Sequence, residues 1–112
     1  MKSQKIAVFY TTVHSQQEAE TLATQAIQHN VAACINIMPK LVSFYVWNDN
    51  LERSTEFGVL LKTSLDKKQH LYQWLLSHHP YKTPAILCFQ PDSTETFQAY
   101  VQAVTLDDTS EL

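Results

Sequence analysis

Glycine is almost absent from this 112-residue sequence, which contains only Gly58. Glycine-rich phosphate loops, dinucleotide-binding fingerprints and the GxSxG turn of serine hydrolases each need glycines at fixed positions. The sequence therefore excludes the common nucleotide-binding signatures. It also lacks an HExxH pattern, a recognisable Ser-His-Asp set and a cysteine nucleophile with a flanking motif, so we predict no enzyme activity.

Clustered positive charge and long apolar runs are missing as well. The eight basic residues are scattered and the net charge is −3. This argues against nucleic acid as the main partner, because phosphate binding requires clustered lysine and arginine. No apolar run approaches the roughly 18 residues of a membrane span, and residues 6–10 are too short for the hydrophobic core of a signal peptide. We therefore expect no membrane span and a cytoplasmic location, where Cys34 and Cys88 stay reduced.

Two long extended segments occupy the middle of the chain. Residues 33–47 and 51–63 flank Asn48-Asp49-Asn50, and these residue types tolerate the positive φ angles of a tight hairpin turn. A strand of about 15 residues spans about 50 Å. A compact domain of this length is only about 34 Å across. The hairpin is therefore predicted to project beyond its own domain.

A projecting hairpin would expose unpaired strand edges and a cluster of apolar side chains. The apolar residues of its first arm are Val42, Phe44, Tyr45, Val46 and Trp47. Pairing with further copies of the chain would cover both features, so we expect an obligate oligomer. Packing at such an interface is also the simpler interpretation of Trp74 and Tyr81, since aromatic residues with a polar group favour interfaces and pocket rims.

The remaining segments predict strands and helices in alternation. Residues 5–11 and 85–89 have the composition of buried strands. Ser15 and Glu18 form a capping box for a first helix, which Asn30 would end in the left-handed conformation. The predicted inward side chains of this helix follow a 3.6-residue period: Ala19, Leu22, Ala23, Ala26 and Ile27.

Two further helices are predicted from the same signals. Asp66 would cap the second, with Leu71, Trp74 and Leu75 inward, and Pro80 prevents its continuation past His79. Asp92 or Ser93 would cap the third. Its predicted inward side chains are Phe97, Tyr100, Val101 and Val104.

The predicted order β-α-β-β-α-β-α indicates an α+β protein with a ferredoxin-like fold and a C-terminal helix. We expect one domain over residues 1–112, with helices covering one face of an antiparallel sheet. Pro39 inside the hairpin predicts a bend, a bulge or an edge position. Gly58 in the second arm predicts a bulge or a close backbone approach.

Two groups of residues could carry a binding function. His78 and His79 end the second helix, where imidazoles either ligate a cation such as Cu(II) or Zn(II) or complement the helix dipole when protonated. Adjacent histidines point different ways on a helix, so a further ligand is required. Glu56 and Lys62 lie on one face of the second hairpin arm, either lining one pocket or serving structure alone.

Several segments, spanning nearly the whole chain, resemble one known family. They read AACINIMP at 32–39, SFYVW at 43–47, LE at 51–52, LLKT at 60–63 and HHPYKTP at 78–84. These resemble the CutA divalent-cation-tolerance family, and the AACxNxxP and HPYxxP elements are specific when they occur together at this separation. The resemblance implies a ferredoxin-like homotrimer whose long hairpins pair between subunits.

The resemblance also implies a role in copper tolerance and binding of Cu(II) or other divalent cations, with no obligatory cofactor. His78 and His79 match a stretch in which histidines are implicated in copper binding in some members, and Cys34 matches the AAC element. A cysteine found near the end of the first strand in some members is replaced by Tyr10. The first hypothesis is therefore a trimeric metal-binding protein that uses His78 and His79, with Cys34 or a group from a neighbouring subunit.

Two alternatives to metal binding stay open. Similarity of architecture to the PII signal proteins suggests a small-molecule site in clefts between subunits, lined here by Lys62, Trp47, Tyr81 and Glu56. The third hypothesis is a structural scaffold, in which the trimer displays a surface to a protein partner.

Overall fold

The computed structural model describes residues 3–106 of the chain. A short 3₁₀ turn, Leu65–Lys67, precedes the second helix. The strands and helices are β1 (Ser3–Lys5), β2 (Ala7–Val13), α1 (Gln16–Gln28), β3 (Cys34–Trp47), β4 (Asn50–Thr63), α2 (Lys68–His78), β5 (Ile86–Phe89), β6 (Asp92–Thr94) and α3 (Glu95–Thr105).

The main sheet has four strands in the order β3-β4-β2-β5, and every neighbouring pair is antiparallel. Helix α1 connects β2 to β3 and helix α2 connects β4 to β5. This arrangement confirms the predicted ferredoxin-like fold. A second, two-stranded ladder pairs β1 with β6.

The two faces of the sheet carry different helices. Side chains of β2 and β4 alternate between the faces, so Phe9 and Leu61 join the cluster that includes buried residues of α1 and α2. Val8 and Leu60 point the other way and pack with Val101 of α3. The face of the sheet that carries Val8 and Leu60 is therefore covered by α3 alone, and only in part.

The boundaries of α1 agree with the sequence signals. The Ser15 hydroxyl accepts a hydrogen bond from the Glu18 backbone N–H at 3.1 Å. At the other end, Asn30 has φ 58°, and the Asn30 and Val31 N–H groups donate to carbonyls of the last helical turn. This is a Schellman end, as the asparagine predicted. Ile27, predicted to point inward, is instead 44% exposed because it lies at the margin of the buried stripe.

The predicted starts of α2 and α3 are wrong. Asp66 lies inside the 3₁₀ turn, and α2 begins after Lys67 without a side-chain cap. Helix α3 is capped by the Thr94 hydroxyl, which accepts from the Phe97 N–H at 3.3 Å. Asp92 and Ser93 belong to β6.

The pairing of β6 with β1 explains where α3 begins. Lys5 lies opposite Asp92, and its Nζ contacts an Asp92 carboxylate oxygen at 2.9 Å. Residues 92–94 are held as a strand by this ladder, so the helix begins only after it. Tyr100 and Val104 were predicted to point inward but are 51% and 41% exposed, because only the Phe97 and Val101 side of α3 packs on the sheet.

The first and last predicted strands also have different limits. The segment 5–11 divides into β1 and β2 at Ile6, whose N–H donates to the Pro91 carbonyl at 3.2 Å rather than to the main sheet. The last predicted strand, 85–89, begins at Ile86. The Ala85 carbonyl accepts instead from the Thr11 hydroxyl at 2.7 Å.

Pro39 and Gly58 both lie at an irregularity in the hairpin, where Gly58 pairs with Met38. The register of β3 shifts between Met38 and Leu41, and Lys40 between them has φ 54°. Because β3 is an edge strand, Pro39 needs no partner for its missing donor. A Cβ atom on Gly58 would lie 2.8 Å from Met38 Cε and 2.9 Å from Leu41 Cδ1. The bulge that the sequence predicted is therefore present, whereas the atoms nearest to Gly58 belong to side chains and not to another backbone.

The hairpin projects as predicted. It turns through Asn48 and Asp49, with φ 51° and 64°, so that Trp47 pairs with Asn50. The described structure measures 51 × 36 × 21 Å. Val46 and Leu51 near the tip are 70% and 74% exposed. The oligomer inferred from such exposure stays a prediction.

Candidate functional site

The loop that follows α2 folds over the end of β2 and is anchored there by His79. This side chain is buried, at 9% exposure. Its Nε2 lies 2.8 Å from the Thr11 hydroxyl and 3.1 Å from the Thr12 carbonyl. Its Nδ1 accepts a hydrogen bond from the Tyr81 backbone N–H at 3.0 Å.

This network defines the state of the His79 ring. Since Nδ1 accepts a hydrogen bond through its lone pair, Nε2 carries the hydrogen of the neutral imidazole. The Thr11 hydroxyl donates to the Ala85 carbonyl, so it accepts from Nε2. Burial lowers the pKa of His79, although its bond to the Thr12 carbonyl opposes this shift. Both ring nitrogens are occupied, and the side chain therefore positions the loop rather than offering a free lone pair.

The loop held by His79 places Tyr81 against Glu56. The Tyr81 hydroxyl donates to a Glu56 carboxylate oxygen at 2.7 Å, and the Tyr81 ring lies 4.4 Å from that of His14. Burial acts to raise the pKa of Glu56, but hydrogen bonds from Tyr81, Ser43 and Thr12 outweigh it and the net shift is downward. Burial and the neighbouring carboxylate raise the pKa of Tyr81 well above its usual range. The pair is an ionised carboxylate with a neutral phenol.

His78 has a different environment from its neighbour. Its ring stacks on the indole of Trp74, with centroids 4.3 Å apart and planes 14° from parallel. Its Nδ1 lies 2.8 Å from the Trp74 carbonyl and can only donate to that oxygen. In the neutral ring, Nε2 then has a free lone pair, and the side chain that carries it is exposed.

A second imidazole lies beside His78. The ring of His29, the C-cap residue of α1, is centred 6.1 Å from that of His78 and 6.2 Å from Trp74. Its Nδ1 lies 2.8 Å from the Gln25 carbonyl, the same i−4 arrangement that His78 makes. An open groove of about 410 Å³ between α1 and the loop is lined by Gln25 and His78, among others.

The predicted metal set is not brought together within one chain. Through the pairing with β4, Cys34 of β3 lies level with Val8 of β2. His79 contacts Thr11 of β2. Cys34 and Thr11 are therefore separated by about 10 Å along the strands and about 10 Å across them. Cys34 also faces the opposite side of the sheet from Thr11. Among residues 3–106, no group of three or more His, Cys, Asp or Glu side chains is placed to hold a metal ion.

The predicted small-molecule residues are divided in the same way. Glu56 and Tyr81 are in contact, but Lys62 lies six residues from Glu56 along β4, about 20 Å away. The Lys62 ammonium lies 5.8 Å from the centre of the Phe97 ring. Trp47 lies at the tip of the hairpin, opposite Asn50 and a similar distance from Glu56. A site that uses all four predicted side chains therefore requires more than one chain.

The residues that complete the contacts around His78, His79 and Tyr81 have no clear signal in the sequence. His29 is a lone histidine at the end of the first helix, and only its position at a helix C-terminus resembled that of His78. Thr11 and His14 lie at the end of a predicted strand without any motif. Their roles arise from contacts between elements that are far apart in sequence.

Comparison with known proteins gives the family. A sequence model of the CutA1 divalent ion tolerance protein matches residues 7–104. The chain belongs to the CutA1 family. A CutA divalent-cation tolerance protein of Yersinia pestis (strain Pestoides F) is 35% identical over 80 residues, which cover 71% of this chain and 67% of that protein. The resemblance to the CutA family is thereby confirmed.

Solved CutA1 structures share the fold. The divalent ion tolerance protein CutA1 of Ehrlichia chaffeensis superposes with a TM-score of 0.88 at 32% identity, covering 91% of this chain and 96% of that one. CutA of Synechococcus elongatus PCC7942, described as complexed with a Bis-Tris molecule, gives a TM-score of 0.82 at 31% identity over 93% and 97% of the two chains. Both support the ferredoxin-like architecture.

The cellular compartment stays a prediction. Within residues 3–106, no helix is both long and apolar enough to cross a membrane. A CutA structure from Archaeoglobus fulgidus, with a TM-score of 0.82 at 28% identity over 92% of this chain and all of that one, is described as periplasmic. One family member is therefore described as periplasmic, and the cytoplasmic assignment of this chain rests on the sequence alone.

Proposed function

We propose that this divalent-cation tolerance protein binds a divalent transition-metal ion, Cu(II) or a similar cation, through Nε2 of His78. The observation that carries the proposal is the bond from His78 Nδ1 to the Trp74 carbonyl. Metal-binding histidines commonly donate their second ring nitrogen to such an acceptor, which fixes the tautomer and the direction of the free lone pair. Stacking on Trp74 further restricts the ring.

His79 and Cys34 have weaker support as ligands of the same ion. Ligation by His79 would require breaking either its bonds to Thr11 and Thr12 or the bond from the Tyr81 N–H. Cys34 could approach a histidine site only from another copy of the chain. We therefore propose that His79 supports the site by holding the loop, while His78 binds the ion.

The working form that we propose is a homotrimer joined through the long hairpin. The support is the exposed apolar surface near its tip, including Val46 and Leu51, together with the free edge of β3. Strand edges and apolar patches of this kind are usually covered in stable proteins. Further ligands for the ion could then come from a neighbouring subunit.

Calorimetric titration with Cu(II) tests the metal proposal. We expect saturable binding that His78→Ala weakens by at least about tenfold. His70→Ala is the matched control, because His70 is an exposed histidine near the start of the same helix. Binding should also weaken from about pH 7.5 to about pH 5, since an imidazole must be neutral to ligate. Equal binding by the wild type and both variants would contradict the proposal.

A second candidate function is the binding of a small polar molecule beside Glu56 and Tyr81. Two observations favour it: the buried carboxylate–phenol pair, and the Bis-Tris molecule in the Synechococcus elongatus relative. Thermal-shift measurements with a panel of polyols, amines and anions test it, because a ligand of the native state raises the melting temperature. A ligand whose stabilisation is lost in Glu56→Gln but kept in His78→Ala would support this second site.

A further inference from the structure

We infer that His29 is the second ligand of the metal site, so that one cation bridges the C-terminal ends of α1 and α2. The inference rests on the proposed function of His78 and names the partner of that same site. The ligand class is a divalent cation that prefers imidazole, such as Cu(II), Zn(II) or Ni(II), in contrast to Mg²⁺ and Ca²⁺, which prefer oxygen ligands.

The separation of the two rings fits a shared ion. Their centroids are 6.1 Å apart. Two imidazoles that bind one ion through a ring nitrogen place their centroids about 5 Å apart at a tetrahedral angle and about 6.4 Å apart in a linear arrangement, since each metal–nitrogen bond is about 2.0–2.1 Å long. The observed distance lies within this range, and a small movement of either exposed side chain would bring it to the tetrahedral value.

The two rings also make the same hydrogen bond to their own helices. Each Nδ1 lies 2.8 Å from the carbonyl oxygen four residues earlier, that of Gln25 for His29 and that of Trp74 for His78. A neutral ring held like this keeps Nε2 for the ion, because Nδ1 carries the hydrogen. Two neighbouring imidazoles with the same tautomer can together offer two nitrogen donors to one ion, which an isolated helix-end histidine cannot.

The scaffold around the pair is rigid. Trp74 is buried, stacks on His78 and lies 6.2 Å from the His29 ring. The Schellman end of α1, with Asn30 at positive φ, fixes the backbone that carries His29. Both histidines are exposed, so water or groups from another molecule can complete the coordination.

A simpler interpretation makes a different prediction. Protonated histidines at helix C-termini complement the helix dipole without any metal. Each would then act on its own helix, and two positive rings side by side would repel each other. That interpretation expects no coupling between His29 and His78 in cation binding.

The experiment measures Cu(II), Zn(II) and Mg²⁺ binding by titration calorimetry and by quenching of Trp74 fluorescence. Trp47→Phe removes the other tryptophan, so the signal comes from the indole that stacks on His78. His29→Ala, His78→Ala and the double variant are compared with His70→Ala, all in the Trp47→Phe background. Circular dichroism and mass in solution confirm that each variant keeps the native fold and assembly.

A shared site predicts a specific pattern. His29→Ala and His78→Ala should each weaken Cu(II) and Zn(II) binding by at least about tenfold, the double variant should lose little more than either, and Mg²⁺ should cause no quenching. Loss in His78→Ala alone would overturn the role of His29 and leave the proposed function intact. Independent, additive losses would also overturn the shared site. Unchanged binding in all variants would overturn both proposals.

Discussion

The bond between Tyr81 and Glu56 provides the sharpest test of the loop's architecture. Tyr81→Phe removes one hydroxyl and keeps the ring that lies against His14 and His79. The lost bond is a phenol donating at 2.7 Å to a carboxylate that is only 7% exposed. A hydrogen bond to a charged group contributes about 1.5–3 kcal/mol to stability. Because Ser43 and Thr12 still bond to Glu56, we expect a cost near the lower limit, about 1.5 kcal/mol.

The loss of stability caused by Tyr81→Phe should depend on pH. The pKa of Glu56 in the folded protein lies below its ordinary value of 4.5, so this carboxylate stabilises the fold above that pH. The stabilisation is lost as the pH falls through the lower folded value. Removing the Tyr81 hydroxyl moves the folded pKa upward again. The variant should therefore be most destabilised relative to wild type near neutral pH, and the difference should shrink to about half once Glu56 is protonated.

Denaturant unfolding at a series of pH values, from about 7 to well below the ordinary Glu56 value of 4.5, measures this difference. Protein concentration must be the same for both proteins, since assembly contributes to apparent stability. Tyr72→Phe is the matched control, because Tyr72 lies exposed on α2 and makes no hydrogen bond through its hydroxyl within residues 3–106. A cost for Tyr81→Phe that is the same at every pH would show that the charged bond is not its cause.

Three further predictions concern the cap, the core and the hairpin. Thr94→Ala should lower the free energy of unfolding by about 1 kcal/mol, because the Thr94 hydroxyl caps α3. Ser93→Ala should lower it by less than about half of that, and equal losses in denaturant unfolding would contradict the capping role. Leu75→Ala should cost about 2–5 kcal/mol in the same assay, since Leu75 has no exposed surface, and a cost below 1 kcal/mol would show that the core relaxes around it. Combining Val46→Lys with Leu51→Lys should lower the mass measured by light scattering below that of the wild type, if the proposed assembly forms through the hairpin tip, because charge would replace exposed apolar surface there; an unchanged mass would contradict this interface.

Local signals in the sequence predicted those elements whose ends depend on adjacent residues. Ser15 and Glu18 lie within one turn of each other, and Asn30 adopts positive φ by virtue of its own side chain and backbone. The Asn48-Asp49 turn and the bulge next to Pro39 follow from equally local chemistry. The wrong prediction of the start of α3 arose instead from a contact between residues far apart in sequence. Asp92 is a good cap by type, but pairing with β1, far away in sequence, holds it in a strand.

The candidate site shows the same division. The sequence and its resemblance to the CutA family identified His78, His79, Glu56 and Tyr81 as residues of interest. They could not assign roles to them, because the adjacent histidines differ only in their three-dimensional surroundings. One ring is buried with both nitrogens bonded, and the other lies on Trp74 with a nitrogen to spare.

By itself, the sequence determined the family, the order of the main-sheet strands and of the helices, the projecting hairpin and the lack of glycine-rich nucleotide sites, because each depends on residue type and on spacing along the chain. Only the tertiary structure decided that Cys34 lies on the other face of the sheet from Thr11, that Lys62 lies far from Glu56, and that His29 lies beside His78. These relations depend on strand register and helix packing, which bring together residues that no local pattern connects.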